Sequence, residues 1–208
     1  FNLDDQFGKP VAENPKFAVM MKNPAVMLAA AGRHNEAIAE YDRVISTASR
    51  RLDIPEFRDI YAECLLLKGV EQLNNGNAAE AAASIRAAAD AARTGVKKLT
   101  NLNHLADLRV KTGDLEKATS AADEALAVEA GLSESERRTP EFATQSAKLR
   151  FLRGQIYSLK NEPTAAVSEF KSAAAIAGAS RDGVKYRHAA GELLNALKEY
   201  EEAARMFR

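Results

Sequence analysis

Three histidines and one cysteine are the side chains best suited to metal binding or nucleophilic catalysis. His104 and Asp107 stand three residues apart, and His188 and Glu192 stand four apart, so on helices each pair shares one face. Because two ligands rarely make a metal site, we interpret both pairs as polar surface. Cys64 falls on an apolar stripe of helical period, which is typical of an inert core thiol. These residues predict neither a metal nor a cofactor.

Motifs that hold phosphate, zinc or a serine nucleophile are absent from the sequence. It contains no G-x-G-x-x-G, G-x-x-x-x-G-K-[ST], H-E-x-x-H or G-x-S-x-G motif. The 29 basic and 29 acidic residues balance, which disfavours nucleic-acid binding through phosphate neutralisation. No run of 18 or more apolar residues is present, so no membrane insertion by this segment is expected. The chain is therefore predicted not to be an enzyme.

Alanine makes up about a fifth of the chain, and tryptophan is absent. Alanine is the strongest helix former and lets backbones approach closely, so the composition favours an all-helical protein with tight helix contacts. The single cysteine excludes an intramolecular disulfide framework.

A repeated pattern gives these helices an order. Five times, a turn residue is followed five positions later by alanine: Gly32 and Ala37, Gly76 and Ala81, Gly113 and Ala118, Asn161 and Ala166, Lys198 and Ala203. Seven positions before each turn residue stands another small residue, namely Ala25, Gly69, Ala106, Gly154 or Gly191. Fixed spacing of small residues on two successive helical stripes indicates a helical repeat protein.

The pattern resembles the tetratricopeptide repeat (TPR), a helix-turn-helix unit of about 34 residues. The resemblance covers residues 18–208 and implies an all-α solenoid of five repeats, the fifth truncated, wound as a right-handed superhelix. Repeats start near residues 18, 62, 99, 147 and 184. We expect residues 1–17 to form a partly irregular N-terminal segment and residues 18–208 to form the TPR domain.

Local signals predict where several helices begin. Pro55 and Pro140 are each followed by a glutamate and preceded, directly or one residue earlier, by a polar residue, Thr139 or Asp53. This predicts extended first helices (A helices) in repeats two and four. Asn23-Pro24 is interpreted as the start of the first A helix, with a kinked helix from Pro15 as the alternative. Residues 131–138 predict an exposed loop.

Four residues depart from the TPR pattern. Pro24 stands within the first A helix of the repeat register, and Arg109, Arg150 and Arg187 occupy positions on later A helices. Two of them, Arg150 and Arg187, replace a large apolar residue.

In TPR proteins the A helices line a concave groove, so the resemblance implies a partner-binding surface there. In this sequence the groove residues are apolar in the N-terminal repeats and polar in the C-terminal ones. They are Leu66, Val70, Leu73, Asn103, Asp107, Lys148, Phe151, Gln155, Lys185, His188 and Glu192. This distribution suits a protein or peptide segment with an apolar anchor and a polar continuation. Coverage of the three apolar residues by neighbouring helices or by residues 1–17 is the alternative.

One TPR subclass holds the C-terminal carboxylate of chaperones with a cluster of lysines, asparagines and an arginine. No frame of the five repeats supplies that cluster, which disfavours a chaperone tail as ligand. The leading hypothesis is a non-catalytic interaction scaffold or adaptor. A self-assembling homo-oligomer and a ligand-sensing regulatory domain are the alternatives.

The ends of the sequence predict that more chain surrounds it. Residue 1 is Phe rather than Met, and the last residues continue a helical pattern without a stop signal. No compartment is indicated.

Overall fold

The computed structural model describes the backbone of residues 15–207 and the side chains of residues 19–207. Within this range the chain consists of helices joined by short turns, without a strand. The helices are α1 (Pro15–Ala30), α2 (His34–Ala48), α3 (Pro55–Asn74), α4 (Ala78–Ala91), α5 (Gly95–Lys111), α6 (Leu115–Gly131), α7 (Glu134–Arg137), α8 (Pro140–Leu159), α9 (Pro163–Ala177), α10 (Arg181–Ala196) and α11 (Tyr200–Met206). A 3-10 turn, Ser49–Arg51, follows α2.

The helices form five helix-turn-helix units: α1 with α2, α3 with α4, α5 with α6, α8 with α9, and α10 with α11. The first helix of each unit is its A helix and the second its B helix. The chain divides into two compact units, Phe1–Asn101 and Leu102–Arg208, and the division falls within α5.

All five turns between an A helix and its B helix close in the same way. A backbone N–H after the turn donates to the carbonyl five residues earlier, as in a Schellman motif; the donors are Arg33, Asn77, Asp114, Glu162 and Glu199. The residue before each donor has positive φ: Gly32, Gly76, Gly113, Asn161 and Lys198. Glycine and asparagine tolerate this left-handed backbone, whereas Lys198 adopts it against its preference.

The small residues of the repeat pattern lie where helices cross. The predicted alanines Ala37, Ala81, Ala118, Ala166 and Ala203 are all buried. Gly69, Gly154 and Gly191 lie directly against large side chains of the partner B helix, namely Ile85, Phe170 and Phe207. A Cβ at these positions would stand 2.5–2.6 Å from those side chains, so the neighbouring side chain would have to shift.

Two predicted helix starts are confirmed. Helices α3 and α8 begin at Pro55 and Pro140 and are 20 residues long. The hydroxyl of Thr139 accepts a hydrogen bond from the N–H of Phe142 and caps α8. Pro followed by Glu therefore marked the first residue of both extended A helices correctly.

The prediction that Asn23-Pro24 begins the first A helix is wrong. Helix α1 runs from Pro15 through Pro24, which lies inside it. Proline removes the hydrogen bond to the carbonyl of Met20. Both residues are exposed, so water can satisfy that carbonyl and the helix can continue.

The prediction of a plain loop at residues 131–138 is also wrong in part. Glu134–Arg137 forms a helical turn closed by a capping box, in which Ser133 and Glu136 bond reciprocally through side chain and backbone N–H. Arg137 donates to carbonyls at the end of α6. Ser-x-x-Glu is a known sequence signature of such a cap.

The three unusual arginines each reach an acceptor. Arg150 donates to the carboxylate of Glu129 at 2.9 Å. Arg187 donates to the carbonyl of Gly178, next to the end of α9, also at 2.9 Å. Arg109 lies 3.5 Å from Asp114. Arg150 and Arg187 thus make polar contacts with neighbouring elements where the TPR pattern has a large apolar residue.

Candidate partner-binding surface

The A helices α5, α8 and α10 carry most of the predicted groove residues. Asp107, Lys148 and Gln155 are half-exposed. Lys185, His188 and Glu192 are exposed. We call these six residues the A-helix surface; all six lie in the unit Leu102–Arg208.

Lys148 is a half-buried cation of this surface, and four neighbouring charges act on it. Burial lowers the pKa of its ammonium group, the charges of Lys111 and Lys185 lower it further, and those of Asp107 and Asp182 oppose the change. Within residues 19–207, no carboxylate lies within ion-pair distance of the Lys148 ammonium. Lys148 is thus a partly desolvated cation with two cationic neighbours and no counterion of its own.

His104 lies beside Lys148 and is neutral at physiological pH. Burial lowers the pKa of its imidazole to about 4, and the charge of Lys148 adds to the shift. Asp107, one helical turn away, only partly offsets these effects. An imidazole with this pKa supplies neither positive charge nor a proton acceptor poised near pH 7.

Phe151 supports this surface from beneath. Its ring is buried and stacks on Tyr186 with a centroid distance of 4.6 Å. The ammonium nitrogen of Lys185 lies 4.7 Å from the centroid of the Phe151 ring, within the range of a cation–π contact. In contrast to the expectation of an open apolar anchor, Phe151 positions Lys185.

Asn103 likewise lies below the surface. It is completely buried, and its amide nitrogen donates to the backbone and side-chain oxygens of Gln145 at 2.9 and 3.1 Å. Asn103 therefore joins α5 to α8 and does not face a partner. Its side-chain oxygen has no hydrogen-bond partner among the described residues.

His188 and Glu192 form an exposed pair one helical turn apart. Nδ1 of His188 lies 3.3 Å from the Glu192 carboxylate, and the His188 ring meets the edge of Phe207 at 5.4 Å between centroids. The charges of Asp107 and Lys185 both act on Lys148. Among the described residues, no hydrogen bond or ion pair joins Gln155, His188 or Glu192 to these three.

A cleft of about 220 Å³ opens between α8, the end of α9 and the start of α10. Helix α8 contributes Ala143, Thr144 and Ala147, and the other walls are Ile176, Ala177, Ser180, Asp182 and Tyr186. We call this the α8–α10 cleft. The repeat register of the A helices does not include this cleft, because Ile176 and Ala177 belong to the end of a B helix and Ser180 to the turn that follows.

Comparison with known proteins identifies the fold. No protein-family model matches the sequence, and neither does any curated protein. BtubC (BKLC) from P. vanneervenii matches with a TM-score of 0.74 and 16% identity over 98% of this chain and 81% of that one. A putative kinesin light chain of Podosopora anserina with nearly identical TPR-like repeats has a TM-score of 0.66 and 16% identity, covering 93% of both chains. MamA from Desulfovibrio magneticus RS-1 has a TM-score of 0.63 and 14% identity, covering 91% of this chain and 90% of that one. The chain has the TPR fold.

The apolar part of the predicted TPR groove lies on α3, in the other unit. Leu66, Val70 and Leu73 are all half-buried. Coverage by neighbouring helices, one of the two alternatives, stays a prediction. The other alternative, coverage by residues 1–17, lies outside the residues whose side chains are described.

Cys64 is buried among apolar side chains, and burial raises the pKa of its thiol to about 12. Within residues 15–207 no three His, Cys, Asp or Glu side chains are grouped so that they could hold a metal ion. No helix in the same range is long and apolar enough to span a bilayer.

Proposed function

We propose that this TPR chain is a non-catalytic protein-interaction scaffold or adaptor, and that it binds a segment of a partner protein on the A-helix surface. One observation carries the proposal: Lys148 and Lys185, on successive A helices, lack carboxylate partners within the described chain. Lys148 is also partly desolvated. Holding such a cation without a counterion is unfavourable unless another molecule supplies the charge.

The remaining members of the surface supply specificity. Asp107, Gln155, His188 and Glu192 offer donors and acceptors that water reaches in the free chain. Asn103 and Phe151 hold the helices that present them. Leu66, Val70 and Leu73 in the other unit are proposed as a separate apolar contact. Mixed charges of this kind favour a protein segment over nucleic acid, because phosphates would meet carboxylates as well as lysines.

Selection from a displayed library of random peptides tests this function. The wild-type chain is expected to enrich peptides, and a Lys185→Glu/Gln155→Ala variant is expected to lose them. Lys160→Glu is the charge-matched control, since Lys160 is exposed at the end of α8 and away from the A-helix surface. Enriched peptides that bind the folded double variant as well as the wild type would contradict the proposed surface.

Self-assembly is the second candidate, favoured by exposed apolar side chains on both terminal helix pairs. Met20 and Met27 are exposed on α1, and Leu197, Tyr200 and Phe207 are exposed at the other end of the chain. Light scattering over a range of concentrations tests it. A mass that rises with concentration and returns to that of a monomer with Tyr200→Lys would support assembly, whereas a constant monomer mass would exclude it.

A further inference from the structure

We infer that the partner segment places an aspartate or glutamate side chain on Lys148 and an adjacent apolar side chain in the α8–α10 cleft. This inference rests on the proposed function and names the class of its partner, an acidic peptide with a neighbouring apolar residue.

The charges around Lys148 select a carboxylate. Lys111 is already paired with Asp107 at 2.8 Å, and Lys185 lies over the Phe151 ring. Lys148 therefore has no carboxylate of its own at ion-pair distance among the described residues, and Asp107 and Asp182 act on it only from farther away. A carboxylate from outside would pair with a half-buried ammonium and relieve its repulsion with the two other lysines. Such an ion pair is more stabilising than a fully exposed one, because less solvent screens the attraction between its charges.

The α8–α10 cleft lies next to that charge. Ala147 lines it and precedes Lys148, and Tyr186 lines it and follows Lys185. Asp182 lines it and is close enough for its charge to act on Lys148. At about 220 Å³ the cleft is smaller than most small-molecule sites, so it suits a single side chain of a peptide.

The walls of the cleft set the chemistry of that side chain. Ala143, Ala147, Ile176 and Ala177 provide an apolar surface, and Ile176 is exposed there. Burial of an aliphatic side chain against these residues would be favourable. Asp182 also lines the cleft, so its negative charge disfavours an acidic residue inside it. The apolar residue of the peptide therefore enters the cleft, and the acidic residue stays outside, on Lys148.

The donors near Lys148 favour a side-chain carboxylate over a chain terminus. A terminal carboxylate is typically held by several charged or amide donors at once. Both hydrogens of the Asn103 amide are used by Gln145, and the neutral His104 adds no charge. Lys148 without an amide donor beside it suits a single carboxylate side chain better than a chain terminus.

Binding of capped degenerate peptide pools to the full chain tests the inference by fluorescence anisotropy. One position is fixed as Glu, Gln or Lys, its neighbour is fixed as Leu or Ser, and both termini are blocked. The Glu/Leu pool should bind the wild type about tenfold more tightly than the Gln/Leu pool, which is a difference of about 1.4 kcal/mol in binding free energy. Lys148→Gln should abolish that preference and Lys148→Arg should retain most of it. Ala143→Leu, which fills the cleft, should remove the preference for Leu over Ser.

The outcomes separate this inference from the proposed function. If the Glu and Gln pools bind the wild type equally and Lys185→Glu/Gln155→Ala still weakens both, the acidic-partner inference is overturned while the A-helix surface stands. Binding only to peptides with a free C-terminus would also overturn it, in favour of a terminal carboxylate. Binding of no pool to the wild type would overturn both. Lys160→Gln controls for general loss of charge, and the wild-type comparison of pools needs no variant to fold.

Discussion

Gly154 on α8 lies so close to Phe170 on α9 that a Cβ at residue 154 would stand 2.5 Å from the Phe170 ring. The ring is itself packed on Phe151, with 5.3 Å between centroids, so it cannot easily move away. We expect Gly154→Ala to lower the free energy of unfolding by about 1–3 kcal/mol through overpacking. Urea denaturation measures the change.

The matched control is Gly131→Ala at the end of α6. A Cβ there meets no atom within 4 Å, so the substitution is expected to be neutral or slightly stabilising. Equal stability of the two variants would show that the close helix crossing at Gly154 does not require glycine.

Glu129 ties α6 to α8 through buried charge. Its carboxylate accepts from the hydroxyl of Ser146 and from Arg150. Arg150→Ala leaves this carboxylate buried without its cation, so we expect a loss of about 2–4 kcal/mol in denaturant unfolding. Arg138→Ala breaks an exposed pair with Glu134 and should change stability by less than about 1 kcal/mol. Similar losses in both variants would refute a special role for the buried pair.

His104 makes stability depend on pH in the acidic range. The pKa of histidine in an unfolded chain is about 6.5, whereas burial and the charge of Lys148 hold the folded value at about 4. Between these values the unfolded chain binds a proton that the folded chain does not. The free energy of unfolding should therefore be unaffected by this group above pH 6.5 and fall by about 1–3 kcal/mol as the pH drops toward 4.

Thermal or urea unfolding at several pH values checks this expectation. His104→Gln should reduce the change in unfolding free energy between about pH 4 and pH 6.5. His188→Gln, which alters an exposed ring, should leave that change as it is in the wild type. A wild-type curve as flat as that of His104→Gln would show that His104 does not titrate as described.

Cys64 provides a reporter of global unfolding. It is the only cysteine in the sequence, is fully buried, and has a thiol pKa raised to about 12 by that burial. Since the thiolate is the reactive form, a thiol reagent should label Cys64 only as fast as the chain unfolds. Rapid labelling of the native chain at neutral pH would contradict the buried position.

The fold was predictable because the repeat pattern recurs in residues that have few alternatives. A left-handed turn residue and a small residue on each helix are local requirements, and the sequence supplies them in every repeat except at the fifth turn, where Lys198 stands. Pro24 was misjudged because an exposed proline is tolerated inside a helix, which the sequence alone does not reveal. The capping box at Ser133 was visible in the sequence and was overlooked.

The surface was predictable only in part. Repeat register identified Lys148 and Lys185, but it also selected Asn103 and Phe151, which the structure buries. Their burial depends on Gln145 and Tyr186, whose contacts with them follow from how successive A helices pack. The α8–α10 cleft likewise arises from the meeting of three elements, which no single helical stripe describes.

Chemical-shift mapping of the isotope-labelled chain with the Glu/Leu peptide pool tests the central claim most directly. If the A-helix surface binds the partner segment, the largest amide shifts should fall on Lys148, Gln155 and Lys185 and along the neighbouring turns of α8 and α10. Shifts confined to α11 and the B helices, or no saturable shifts at all, would contradict the account.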